Sequence, residues 1–206
     1  LPGILPTLDP AAALEVAAIA SAVEGSRSRE LPLTPPFAAP HHTASYTSII
    51  GGGSAQPVIG MVTLAHRGVL FLDEAPEFAS NVLDALRQPL ESGRVLVARR
   101  TFTIQLPARF QLVLAANPCP CGLALDPRGS CRCTPTERRR YLGRISGPLL
   151  DRVDIRVVVD PPAAAELDYA APAGTSSAEL RQRVCAARNR AAARLHGTGW
   201  FCNADV

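Results

Sequence analysis

Short unbroken apolar runs with abrupt polar stops dominate the centre of the chain. Val69-Leu70-Phe71-Leu72 ends in Asp73-Glu74, a pattern that predicts a strand of a parallel sheet buried on both faces. A second run, Phe110 to Ala116, ends in Asn117-Pro118. A third strand is expected over Val153 to Val159, after Leu149-Leu150-Asp151-Arg152. Between the first two, Val82, Leu83, Leu86 and Leu90 stand at helical spacing and predict a helix from Ser80, as its cap, to about Glu91. Val95 to Leu106 then alternates loosely around Arg99-Arg100 and reads as a hairpin. A basic helix is expected near Thr136 to Arg144. The succession strand, helix, strand, helix, strand predicts an α/β fold.

The flanks are simpler. Asp9-Pro10 before an alanine-rich run to about Val23 predicts a capped helix, because Asp accepts backbone N–H groups and Pro is tolerated in the first turn; Gly25 should end it. Ser26 to Pro57 is rich in Pro, Ser, Thr and Gly and reads as long connecting structure with at most short strands. Pro161-Pro162 opens a linker, and Ser176 to about His196 should be helical, burying Leu180, Val184, Ala187 and Ala191. The expected division is a core over residues 1–160 and a linker with a partial helical lid over 161–206.

Composition narrows the classes. With 206 residues and a hydrophobic share of 47%, the chain can bury a real core, which argues against disorder. All 21 basic residues are arginine, giving a formal charge of +3 that permits a nucleic-acid partner without demanding one. No apolar stretch reaches the roughly 20 residues of a membrane span, so no membrane partner is expected and a cytoplasmic location is the default. The chain begins Leu1-Pro2-Gly3 and its one methionine is Met61, so it is expected to be a piece of something larger.

An apolar strand that delivers two adjacent carboxylates is a Walker B arrangement. Ligands of open α/β sheets bind beyond the carboxyl ends of the strands, so Asp73 is placed to hold Mg²⁺ and Glu74 to polarise an attacking water; two strand-end carboxylates can also merely begin a turn. Asn117 ends the next apolar run, and its amide can donate to a phosphate and accept from a water, although Asn before Pro is also a turn signal. Arg152 could supply charge to a neighbouring subunit's nucleotide, or form an ordinary salt bridge with Asp151 or Asp154. Cys119-Pro120-Cys121 and Cys131-Arg132-Cys133, nine residues apart, could converge on one Zn²⁺ or remain free thiols, since C-x-C is tighter than the usual knuckle. His41-His42 reads as a loop anchor, and His66-Arg67 as structural or intersubunit.

Several strings together resemble one family. They are Ala39-Pro40-His41-His42-Thr43-Ala44-Ser45, Gly51-Gly52-Gly53, Leu64 through Glu74, Ala116-Asn117-Pro118-Cys119-Pro120-Cys121-Gly122, and Ser146 through Asp154. They are similar to the ComM/YifB proteins, magnesium-chelatase-like ATPases of the AAA+ class. The resemblance implies a P-loop NTPase core with a parallel sheet and a helix-two insert at about residues 26–60. It further implies ATP and Mg²⁺ as cofactors, a homo-oligomeric ring (a hexamer), catalytic roles for Asp73, Glu74, Asn117 and Arg152, and ATP-driven DNA branch migration in recombination during natural transformation. In such rings insert and hairpin tips face a central channel. Arg99, Arg100 and the loop around Gly51–Gly53 are therefore candidates for DNA phosphates, with a solvated turn as the plainer reading. One departure stands out: the sequence holds no G-x-x-x-x-G-K-[ST] loop and no lysine, so this polypeptide alone is expected not to hydrolyse ATP. Two other functions fit the same residues, a motor driving Mg²⁺ insertion into a tetrapyrrole and a non-catalytic binding fragment.

Overall fold

The computed structural model describes residues 1–24, 30–53, 58–98, 103–125, 129–160 and 174–199. Helix α1 (Pro10–Glu24) starts as expected, with Asp9 Oδ1 accepting the Ala12 N–H at 2.9 Å. The segment that reads as a connection then contributes an element of the central sheet. Strand β1 (Phe37–Ala38) follows the Pro35-Pro36 pair, and after it come α2 (Tyr46–Ile50), β2 (Gly51–Gly52), β3 (Val58–Ile59) and α3 (Met61–Leu64). Strand β4 (Val69–Leu72) is the predicted buried run, and β1 and β7 (Gln111–Leu114) flank it, both parallel to it, in the order β1-β4-β7.

Leu70 and Leu72 are fully buried and pack within one cluster with Val62, Val82, Leu83, Leu86 and Leu149. Phe71 points to the opposite face, where its ring stacks on Phe37 at 6.0 Å between centroids. This alternation along β4 sets which side chains face the helices. The register is pinned by a close approach. Pro36 O accepts the Val69 N–H at 2.9 Å, and a Cβ at Gly68 would sit 1.9 Å from that oxygen, so only glycine fits.

The expected helix from Ser80 is two helices, α4 (Ser80–Ala85) and α5 (Arg87–Ser92). Pro89 has no N–H to give to the carbonyl of Ala85, which explains the break at Leu86. The cap position is Ala79, and Ser80 is the first helical residue with no capping bond, contrary to expectation. The hairpin is present as β5 (Arg94–Ala98) paired antiparallel with β6 (Thr103–Pro107). Arg99 and Arg100 lie outside the described residues.

Helix α6 (Pro135–Leu142) opens with a capping box in which Thr134 and Glu137 satisfy each other's backbone N–H groups. Helix α7 (Gly147–Leu150) follows. The strand expected over Val153 to Val159 does not form: residues 153–160 pair with no strand among the described residues, and Ile155, Val157, Val158 and Val159 are 75–81% exposed. Strand-forming side chains fix a strand only where a sheet edge receives them. Helix α8 (Ser177–Leu195), capped by Ser176 and Glu179, packs on the turn at Pro2–Ile4, and Arg188 reaches Gln111 on β7 at 3.1 Å. On its expected buried face Leu180, Val184 and Ala191 are half-buried, whereas Ala187 is exposed. No helix among the described residues is long and apolar enough to cross a membrane.

Candidate functional site

Parallel pairing places the carboxyl ends of β1, β4 and β7 on one side of the sheet. The chemistry-bearing residues follow directly: His42 after β1, Asp73 and Glu74 after β4, and Asn117 after β7. Beyond the ladder, Ala115 N–H donates to Leu72 O at 2.9 Å and Ala75 N–H to Ala115 O at 2.8 Å, so the two chains run together through the site. Asp73, Glu74 and Asn117 are all exposed there.

Glu74 carries the local strain. Its φ of 52° and ψ of 42° are left-handed, which costs a non-glycine residue about 1–2 kcal/mol and recurs at functional sites. Asp73 Oδ1 accepts the Glu74 N–H at 2.9 Å, and the Ala75 bond to β7 holds the turn from the other side. The tight reversal swings the Glu74 carboxylate back toward β1, where Oε2 lies 3.0 Å from His42 Nδ1. His42 is held between His41, with ring centroids 4.1 Å apart, and the edge of Phe78 at 6.5 Å. His41 in turn meets Thr43 Oγ1 at 2.9 Å. Sequence reasoning gave this histidine pair only an anchoring role. The contact with Glu74 crosses two strands, and no local spacing announces it.

A second layer supports the turn. Arg144, after α6, donates to Pro76 O at 3.1 Å and to Glu77 Oε2 at 2.9 Å. Tyr141 of α6 is buried, and burial, with Glu77 and Glu74 nearby, pushes its hydroxyl above the usual tyrosine range. Ser146 Oγ donates to Asp84 Oδ1 at 2.6 Å, joining the start of α7 to α4. Arg152 pairs with Glu91 of α5, so its salt-bridge partner is neither Asp151 nor Asp154.

The opposite end of β4 holds a separate polar centre. Glu15 of α1 receives Arg67 Nε at 2.6 Å, Arg67 Nη2 at 3.1 Å and His66 Nε2 at 2.9 Å. His66 Nδ1 accepts the Arg109 N–H at 3.0 Å, which places the ring proton on Nε2. Hydrogen bonding from Arg67, aided by His66, brings the Glu15 carboxyl down to about 2, whereas burial pushes His66 below the ordinary histidine range. These residues, with Gly93, Arg94 and Pro107, line a cleft of about 380 Å³. The cleft lies at the amino end of β4, away from Asp73 and Glu74, and its buried histidine is spent on structural bonds. His66 and Arg67 thus have structural partners within the chain.

Gly51 and Gly52 are buried in the β2–β3 ladder, so neither presents its backbone to a large ligand; residues 54–57 lie outside the described set. Cys119, Cys121, Cys131 and Cys133 come together just beyond Asn117, with sulfurs all within 4.8 Å of one another.

The fold is an α/β domain with acidic and amide groups presented beyond the carboxyl ends of a parallel sheet. A family model described as "Magnesium chelatase, subunit ChlI" matches residues 1–167, and the chain belongs to that family, within the AAA+ class. It is 51% identical over its whole length to an uncharacterized protein of Mycobacterium tuberculosis, 40% of which it covers. It is 48% identical over 91% of its length to YifB of Escherichia coli and 44% identical over 91% to the competence protein ComM of Haemophilus influenzae, covering 37% and 36% of them. The chain therefore spans about two fifths of the length of these relatives.

Proposed function

We propose that these residues form the hydrolytic half of an ATP-driven motor that acts on DNA in the manner of a branch-migration helicase. The observation that carries the reading is the alignment of Asp73, Glu74 and Asn117 at neighbouring parallel strand ends, with Glu74 held in a left-handed turn against His42. Mg²⁺–ATP suits this donor set, since exposed carboxylate and amide oxygens are the hard ligands that Mg²⁺ and its waters take. When bound, it supplies the phosphoryl group to be transferred. Asp73 would hold the metal through its waters. Glu74 orients and polarises the attacking water, Asn117 offers its amide to phosphate and water, and His42 fixes the direction of the Glu74 carboxylate. Arg152 serves the neighbouring protomer of a hexameric ring once released from Glu91.

Residues 1–160 act as the motor core and 161–206 as the linker and start of a lid, in a cytoplasmic protein. Arg99 and Arg100, which lie between β5 and β6 in the sequence, contact DNA phosphates. The similarity to ComM over 91% of the chain supports the DNA reading. The family description supports a second one, in which the same site drives Mg²⁺ insertion into a tetrapyrrole.

The intact protein decides between them. ATP turnover should rise with branched DNA and vanish in Glu74→Gln while nucleotide binding persists; turnover indifferent to DNA but raised by a tetrapyrrole acceptor system would support the second reading. Replacing Arg99 and Arg100 by Ala should lower the salt slope of DNA binding by about 1 per arginine, and an unchanged slope removes them from the interface.

A further inference from the structure

We infer that Cys119, Cys121, Cys131 and Cys133 form one tetrahedral structural zinc site that clamps the exit of β7 to the start of α6. Zinc bound by four thiolates at about 2.3 Å forms a tetrahedron whose sulfurs are about 3.8 Å apart. The sulfurs of Cys119 and Cys121 are 3.3 Å apart, those of Cys121 and Cys131 3.5 Å, and those of Cys119 and Cys131 3.7 Å. Each is far longer than the roughly 2.05 Å of a disulfide, and all four thiols are free. Three sulfurs at the spacing of one small cation, with that of Cys133 within 4.8 Å of each, match a single metal. They do not match two covalent bridges.

The backbone is shaped for the same purpose. Gly122 has φ of 77° and its N–H closes a turn onto Cys119 O at 2.9 Å, which lets the two cysteines of the tight Cys-Pro-Cys pair face one point. A Cβ there would touch nothing, so the glycine answers to the backbone angle and not to crowding. Four thiolates around Zn²⁺ leave a net charge of −2, and an arginine answers it: Arg138 Nη2 reaches Cys131 Sγ at 3.2 Å while its Nε holds Cys133 O at 3.2 Å. This is the outer support that fixes metal ligands in place.

The position gives the site its task. Cys119 is fully buried two residues beyond Asn117, and Cys133 immediately precedes Thr134, the cap of α6. Through α6 the clamp reaches Tyr141 and then Arg144, which grips the turn after Asp73-Glu74. The inference stands whether or not the protein hydrolyses ATP.

The test uses the intact protein, grown with zinc and purified without chelator. Elemental analysis should find about one zinc per chain, released in step when a mercurial blocks the thiols. Replacement by Co²⁺ should give thiolate charge-transfer bands in the near ultraviolet and intense d–d bands of tetrahedral cobalt, a readout that needs no mutation. The Cys131→Ser, Cys133→Ser double variant should lose the metal to background. Zinc at background in the unmodified protein with all four thiols free to react, an octahedral cobalt spectrum, iron in place of zinc, or full retention of zinc by the double variant would each overturn the inference.

Discussion

Gly68→Ala is the sharpest perturbation of the sheet that carries the site. The new Cβ would stand 1.9 Å from Pro36 O and 2.7 Å from its carbonyl carbon, both backbone atoms that no rotamer change can move. Real Cβ contacts do not fall below 3.0 Å, so the oxygen must retreat by about 1 Å. That oxygen accepts the Val69 N–H at 2.9 Å, and β1 has only the pairs Phe37 with Val69 and Ala38 with Leu70 to hold it. Overpacking costs about 1–3 kcal/mol and the lost hydrogen bond about 1 kcal/mol. The gain from restricting the unfolded chain returns about 0.4–1 kcal/mol. The expected loss is about 2–3 kcal/mol, read as a lower urea midpoint at unchanged slope and a Tm lower by about 5–10 °C. Gly3→Ala is the matched control, because its Cβ meets nothing within 4 Å and no proline follows it. If the two variants differ by less than about 1 kcal/mol, the parallel register of β1 on β4 is wrong. The placement of His42 against Glu74 falls with it.

Two further outcomes follow from the same structure. Glu15→Gln should destabilise the protein at neutral pH, with the difference from wild type closing as pH falls from about 4.5 to about 2. The folded carboxyl titrates below the unfolded one, so its contribution is complete above the unfolded value and disappears through the folded one; a pH-independent difference in urea midpoint would contradict the Glu15 to Arg67 pairing. Leu83→Ala removes a fully buried side chain from the cluster beneath β4 and should cost about 2–5 kcal/mol by chemical denaturation, whereas a cost below about 1 kcal/mol would mean the cluster is not a packed core.

The elements that sequence alone revealed are those with a local cause. The run Val69–Leu72 is buried on a period that no solvent-facing strand would show, Asp9 caps its helix within three residues, and the hairpin from Arg94 to Pro107 pairs neighbours in the chain. The two cysteine pairs are visible too, since each places two thiols one residue apart, and the structure gathers all four within 4.8 Å. What escaped depends on distant partners. Two residues at Phe37–Ala38 are too few for any periodicity, and they form a strand because β4 offers an edge. Val153 to Val159 has better strand composition, yet it pairs with no strand among the described residues. Pro89 was in plain view, but the splitting of its helix follows from one missing N–H that the hydrophobic spacing conceals. The bond from His42 to Glu74 joins residues 32 positions apart, and only the parallel order of β1 and β4 creates it.

The stretch after Arg152, which joins no strand among the described residues, carries a practical consequence. Four aliphatic side chains between Ile155 and Val159 are open to water, and β7 ends the three-stranded order with one flank turned away from β4. A sheet margin that meets no further strand among the described residues, in a chain that also exposes a run of aliphatic side chains, is a template for adding foreign backbone. Expressed by itself, this polypeptide should therefore be adhesive, and soluble yield should rise when a complementary segment is supplied to cover that margin.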